Sequence, residues 1–187
     1  MSKYIVGIDE AGRGPLAGPV TVAVVAILKN SKIKLPDRDS KKLSAKKREE
    51  WFQFFKDNPL LKYSVSSVSH SIIDKRGISY ALRLAVRRSI EKLEFRPKMI
   101  LLDGSLFAPQ EYNQKTIIKG DEKIPIIAAA SIVAKVTRDR KMVRLAKKYP
   151  KYGFEMHKGY GTLTHRVMLK KYGLCEIHRK SFCTRLI

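Results

Sequence analysis

Short apolar runs punctuate the chain, separated by stretches whose apolar residues recur at helical spacing. Tyr4-Ile5-Val6-Gly7-Ile8 is compact and rich in β-branched residues, which suits a strand buried in the middle of a sheet. Val20 to Leu28 is a second such run, and Tyr63 to Val68 alternates apolar residues with Ser. Three strands are therefore predicted in the first third, interrupted by a helix over Ser44 to Lys56 with Ser44 as its cap. From Gly77 to Leu93 the apolar positions Ile78, Ala81, Leu82, Ala85, Val86, Ile90 and Leu93 share one helical face, and Arg83, Arg87, Arg88 and Lys92 the other. Arg96-Pro97 ends that helix. Met99-Ile100-Leu101-Leu102 then reads as a buried strand, and Thr116-Ile117-Ile118 as another short apolar run. Pro125 opens a helix to about Lys148, apolar nearly all round from Ile126 to Val136 and so expected to be buried.

Strand and helix alternating after early strands argue for an α/β or α+β sandwich with a mixed sheet, and ligands gather where the strands of such sheets end. Acids stand at those ends. Asp9-Glu10 follow the first run, Asp103-Gly104 follow Leu102, and Asp121 comes soon after Ile118. If the first strand and the strand before Asp103 are parallel neighbours, Asp9, Glu10 and Asp103 converge at one sheet edge, and Asp121 can complete the set. Singly, an Asp-Gly turn explains Asp103 and a helix N-terminus explains Asp121. Their joint placement is what favours a metal site, and hard oxygen ligands suit Mg²⁺ or Mn²⁺. Asp139, expected to pair with a neighbouring Arg, and Glu122 are rival candidates for the fourth acid. Beyond Glu10, Gly12-Arg13-Gly14 lets the backbone turn sharply or approach a ligand, and the planar fork of Arg13 fits a phosphate. The turn is no P-loop, because the Lys-Ser/Thr ending is missing.

Charge changes the picture more than length does. The 187 residues carry 39 Lys and Arg against 17 Asp and Glu, a formal net charge of +22, which self-repels unless a polyanion is the partner. Nucleic acid is the first expectation, although structural nucleic-acid-binding proteins share this composition. No linker or repeat divides the chain, so a single domain is expected. Cys175 and Cys183 match no CxxC or zinc spacing, and His157, His165 and His178 no zinc pattern; a reduced intracellular setting fits. There is no signal-peptide apolar region, and Val20 to Leu28 is far short of the roughly 18 residues of a membrane span. Lys41, Lys42, Lys46 and Lys47 read as a solvated face, of which Lys41 alone is expected on phosphate. Tyr160, between Gly159 and Gly161, can approach a ligand closely or lie as a lid on apolar surface.

Together these segments resemble the type 2 ribonuclease H (ribonuclease HII) family over nearly the whole chain. The resemblance rests on Gly7-Ile8-Asp9-Glu10-Ala11-Gly12-Arg13-Gly14-Pro15, Asp39-Ser40-Lys41-Lys42-Leu43, Leu102-Asp103-Gly104 and Lys119-Gly120-Asp121. To these are added Ala129 to Asp139, His157-Lys158-Gly159-Tyr160-Gly161-Thr162 and His178-Arg179-Lys180-Ser181-Phe182. The Gly-Arg-Gly turn favours type 2 over type 3 enzymes. The resemblance implies an α/β ribonuclease H-like fold, a mixed five-stranded sheet flanked by helices, as one catalytic domain over 1–187 with a short C-terminal helical segment from about 162. It implies that Asp9, Glu10, Asp103 and Asp121 hold two divalent ions, Mg²⁺ or Mn²⁺, and cut to leave a 3′-hydroxyl and a 5′-phosphate. Gly12, Arg13 and Gly14 would read the ribonucleotide's 2′-hydroxyl and Tyr160 would stack on the following sugar. The implied substrates are RNA/DNA hybrids and DNA duplexes containing ribonucleotides, met by a cytoplasmic monomer with no membrane association; contact with a replication clamp is not written in the sequence. Two departures are Gly77-Ile78, where many relatives carry Asn-Ile, and the few residues after Phe182, where many carry a longer helical region; a weaker grip on substrate is expected there. The alternatives are another nuclease or resolvase on the same fold, and a basic nucleic-acid-binding protein without catalysis.

Overall fold

Strand β1 (Tyr4–Ala11) holds the centre of a five-stranded sheet because both its faces are apolar and both its edges find partners. The computed structural model describes residues 3–36 and 43–184. In it β2 (Val20–Leu28) pairs antiparallel with β1, and β3 (Leu61–Val68) antiparallel with β2. On the other side β4 (Met99–Asp103) runs parallel to β1, and β5 (Gln114–Ile117) parallel to β4, giving the order β3-β2-β1-β4-β5. The parallel neighbours on which the convergence of acids depended are thus present.

Helices cover both faces. On one, α2 (His70–Arg76) and α3 (Ile78–Glu91) bring Ile73, Ala81, Leu82, Ala85, Val86 and Ile90 onto Val6, Ile8, Val22 and Val24. On the other, α1 (Ala45–Asp57) and the long α5 (Pro125–Lys148) bring Phe52, Phe55, Ile126, Ala129 and Val133 onto Ala23 and Val25. Each fully buried aliphatic side chain contributes roughly 1.5–3 kcal/mol. Gly7 is what lets α5 lie so close: a Cβ there would meet the Ile126 carbonyl oxygen at 2.3 Å. Beyond the sheet, α4 (Gly120–Lys123), α6 (Phe154–His157), α7 (Leu163–Tyr172) and α8 (Lys180–Cys183) complete the helices. A third apolar cluster of Ala17, Met142, Ala146, Tyr152, Phe154, Leu169 and Ile177 ties the far half of α5 to α6 and α7.

The elements differ from the sequence reading in several places. β1 does not stop at Ile8 but continues through Asp9 and Glu10 to Ala11, because β2 stays paired with it as far as Thr21. β5 starts at Gln114, whose side-chain amide accepts from the Ala108 N–H at 2.8 Å and donates back to the Ala108 carbonyl at 3.0 Å. Helix α2 was not foreseen, since seven residues are too few to show a period. Ser44 does cap α1, accepting from the Lys47 N–H at 3.1 Å.

Candidate active site

The register at the sheet's centre places the acids. Parallel pairing of β1 with β4 ends at Ile8 and Leu102, so Asp9 and Asp103 are the next residue on each strand. From that point β1 is held only by β2, which leaves its β4 side open to a ligand. One carboxylate oxygen from each of Asp9, Glu10 and Asp103 lies within 4.8 Å of the others. These residues border a cleft of about 490 Å³ together with Gly12, Arg13, Gly14, Ser131, Lys135 and Tyr160.

Three carboxylates this close oppose each other's ionisation. Burial, reinforced by the charges of Glu10 and Asp103, holds the Asp9 carboxyl well above the usual range, against hydrogen bonds from Ser131 and the Glu10 N–H. Glu10 is also raised by burial, with Arg13 opposing. Asp103 is aimed by the start of α4: its Oδ1 accepts from the Gly120 N–H at 2.6 Å and the Asp121 N–H at 3.4 Å. The set is all oxygen, crowded and rich in negative charge, so it fits a hard divalent cation.

The Gly-Arg-Gly turn sits against this cluster and is held from below. Arg13 lies 3.4 Å from Glu10 and donates to the Ser105 hydroxyl at 2.8 Å, spanning the exits of β1 and β4. Gly12 has φ +95°, and a Cβ there would come within 2.0 Å of Arg138 Nε, so no other residue fits. Beneath the turn lie two buried guanidiniums. Arg179 donates to the carbonyls of Gly12 at 2.6 Å, Arg13 at 2.9 Å and Gly18 at 3.0 Å. Arg138 donates to Pro19 at 2.9 Å, Ala17 at 3.2 Å and Lys158 at 3.0 Å. Burial and the neighbouring Arg138 charge push Arg179 down to about 9, still protonated at neutral pH. The turn therefore presents its backbone to solvent while fixed positive charge stands behind it.

Tyr160 closes the other side of the cleft, with Lys135 Nζ and Arg138 Cζ each 5.7 Å from its ring centroid. Its loop is anchored by histidines whose tautomers follow from their partners. His165 Nδ1 lies 2.9 Å from the Tyr160 carbonyl and must donate to it, so its Nε2 accepts from His178 Nε2 at 3.0 Å. His178 Nδ1 in turn accepts from the Cys175 N–H at 2.8 Å. His157 donates from Nε2 to the Tyr152 carbonyl, accepts from the Gly159 N–H on Nδ1, and stacks on His165 at 4.3 Å. Hydrogen bonds to neighbouring backbone or to each other thus occupy the ring nitrogens of all three histidines.

A sequence model of the family described as Ribonuclease HII matches residues 6–185. The chain belongs to the ribonuclease HII family. It is 48% identical over 186 residues to the ribonuclease HII of Caldicellulosiruptor bescii, covering 99% of this chain and 89% of that protein. To the ribonuclease HII of Endomicrobium trichonymphae it is 51% identical over 179 residues. Its fold matches the ribonuclease H2 of Pyrococcus horikoshii OT3 with a TM-score of 0.81 at 28% identity, covering 98% of this chain and 96% of that one. A second match, at TM-score 0.80 and 30% identity, is to the ribonuclease HII solved with PCNA from Archaeoglobus fulgidus. The protein is thus a ribonuclease H endonuclease on a ribonuclease H-like fold, and the expected mixed five-stranded sheet flanked by helices is the one observed.

Within this ribonuclease HII the expected residues fall into three groups. Asp9, Glu10, Asp103, Gly12, Arg13, Gly14 and Tyr160 share one cleft. Asp121 is buried on α4, joined to Asp103 through its backbone N–H, while it borders a separate cleft with Glu122 and Pro125. Lys41 lies outside the described residues. Asp139 pairs with Lys135 at 2.9 Å, one helical turn away, rather than with a neighbouring Arg. The sequence reading missed Ser105, Ser131, Arg138 and Arg179. Arg138 had a signal: it stands at the spacing of buried Ala134 and Met142 on α5, where a solvated arginine has no place. Arg179 had none beyond the segment His178 to Phe182 in which it lies.

Proposed function

We propose that this endonuclease cuts the RNA strand of RNA/DNA hybrids and nicks duplex DNA on the 5′ side of an embedded ribonucleotide, leaving a 3′-hydroxyl and a 5′-phosphate. The observation that carries this reading is one cleft holding both the carboxylate cluster and a backbone turn braced by buried arginines. Asp9, Glu10 and Asp103 would hold divalent cations, Mg²⁺ or Mn²⁺, with Asp121 supplying the fourth acid from beside Asp103. Bound there, such ions lower the pKa of a water and neutralise charge on a leaving oxygen.

The chain's own residues supply recognition. The rigid Gly12–Gly14 backbone offers a fixed surface to a 2′-hydroxyl, which a deoxyribose lacks; a site built to bond a hydroxyl rejects the analogue without it. Gly14 leaves open space, with no atom near enough to touch a Cβ built there, so a sugar can approach. Tyr160, 40% exposed, lines the same cleft and suits stacking on the next sugar. Lys135 and Arg13 complement the phosphate between them. We further infer a single catalytic unit acting as a cytoplasmic monomer; among the described residues no helix is long and apolar enough to cross a membrane. Clamp binding, suggested by the A. fulgidus complex, is tested by co-elution with a sliding clamp.

The deciding experiment incubates the protein with a duplex carrying one ribonucleotide, with Mg²⁺, Mn²⁺ or EDTA, and maps the cut. A metal-dependent nick 5′ of the ribonucleotide, lost in Asp9→Asn while duplex binding persists, is expected. Cutting of all-DNA junctions without ribonucleotide preference would replace this reading with a resolvase, and full activity in Asp9→Asn would remove the carboxylates' role.

A further inference from the structure

A cavity of about 1070 Å³ opens at the opposite end of the sheet from the carboxylates. It lies where β1 begins, β2 ends and the chain enters β4. Tyr4 pairs with Leu28 and Glu10 with Val22, so the cavity is roughly 20 Å from the catalytic cleft at about 3.3 Å per residue.

Five cations rim this cavity: Lys3, Lys29, Lys32, Arg96 and Lys98. Its floor is aliphatic, built from Pro97 and from Leu28 and Leu60, which are 38% and 55% exposed. No carboxylate is among the described residues that line it. The basic composition of the chain does not by itself produce that result, because other cavities carry acids: Glu91 and Glu111 beside α3, Glu49 and Asp139 between α1 and α5, and Asp121 and Glu122 at α4. The Arg96 guanidinium is held at the margin, donating to the Glu111 carbonyl at 2.5 Å and lying 5.4 Å from the Tyr112 ring centroid, both residues of the neighbouring cavity beside α3.

The lining also lacks an aromatic platform. No aromatic residue is among the described residues that line it, and Tyr4 and Phe95 are stacked on each other at 4.1 Å outside it. Sequence-tolerant binding of single-stranded nucleic acid relies on such platforms. Aliphatic floor, cationic rim and absent carboxylates match a different ligand. We propose that this cavity binds an acidic peptide segment of a partner protein, with one or two bulky apolar side chains on Leu28, Leu60 and Pro97 and its carboxylates against the rim. Apolar burial supplies affinity, and the rim supplies steering and selection against basic segments. The site is independent of the catalytic cleft and so would tether the nuclease to a partner without blocking substrate.

The test uses the full chain and fluorescence anisotropy with a labelled probe peptide, Asp-Glu-Asp-Leu-Glu-Phe-Asp. We expect a Kd of about 10 µM. Replacing the peptide's Leu and Phe by Ser should weaken it at least ~10-fold, as should Leu28→Ser with Leu60→Ser, or Lys29→Glu with Lys32→Glu, in the protein. At saturating ribonucleotide duplex, where affinity does not limit the rate, the nicking kcat of both double variants should equal the wild type, which also shows that they fold. The proposal is overturned if the probe does not bind, if the Ser-substituted peptide binds equally, or if the leucine variant binds as the wild type does. Displacement of the probe by oligothymidylate at lower concentration than by unlabelled peptide would identify the cavity as a nucleic-acid site instead.

Discussion

Arg179 is the residue on which the turn depends most directly, since one guanidinium satisfies three backbone carbonyls of the segment Gly12 to Gly18. Arg179→Met keeps the bulk and removes every donor, stranding those buried carbonyls at about 1–3 kcal/mol each, partly offset by water. The expected result is a lower Tm and a kcat/KM for ribonucleotide-containing duplex reduced by about 100-fold. Asp9, Glu10 and Asp103 should still bind Mn²⁺ in calorimetry. Loss of metal binding as well would mean that Arg179 organises the whole cleft and not the turn alone. Gly12→Ala tests the same contact from above. At φ +95°, with Arg138 Nε 2.0 Å from the added carbon, the turn must shift, and ribonucleotide discrimination should fall more than general duplex binding. At this scale the candidates Asp9, Glu10, Asp103 and the Gly-Arg-Gly turn were legible from their joint placement at strand exits, and the fold brings them to one cleft. The arginines beneath them were not, since a buried arginine and a solvated one are spelled alike.

Among elements, the loop from Lys158 to Gly161 is tied to a histidine pair, since His165 bonds both the Tyr160 carbonyl and His178. His165 and His178 are both pushed down to about 4, chiefly by burial, and their mutual hydrogen bond needs one ring to accept. Folded values lie below the unfolded value of about 6.5, so the unfolded chain takes up protons first on acidification. Their contribution is therefore whole above about pH 7 and shrinks as pH falls from 6.5 toward 4, by on the order of 2 kcal/mol per ring. Urea titrations of wild type and His178→Gln should show a stability gap that narrows between pH 7.5 and 5; a constant gap would mean the pair does not stay neutral. Strands and long helices were readable here because period and apolar content agreed, as in β2 and α5. The histidine cluster was not, because its members lie on α6, on α7 and in the segment before α8, and sequence spacing carries no sign of their stacking.

For the whole molecule, the +22 charge sets how tightly nucleic acid is held and says little about where it is cut. Binding of a non-cleavable duplex by Asp9→Asn should weaken steeply with salt, its log–log slope counting several displaced counterions. Arg13→Ala should make that slope shallower by about 1, the share of a single phosphate contact, while reducing preference for a ribonucleotide, since Arg13 spans Glu10 and Ser105 beside the turn. A shallower slope with the ribonucleotide preference intact would assign Arg13 to bulk electrostatics alone. The fold class was legible at this scale because two antiparallel and two parallel pairings follow from strand order and connection length. Which cavities carry acids and which do not was invisible until the chain was folded.

The contacts of Arg179 with Gly12 and Arg13 join residues 167 and 166 positions apart. The turn and its brace meet only in the folded chain. A proteolytic nick between them that lets the far segment leave would remove the brace while β1 and β4 still hold Asp9, Glu10 and Asp103 together, so preference for a ribonucleotide is expected to fail before the carboxylate cluster does.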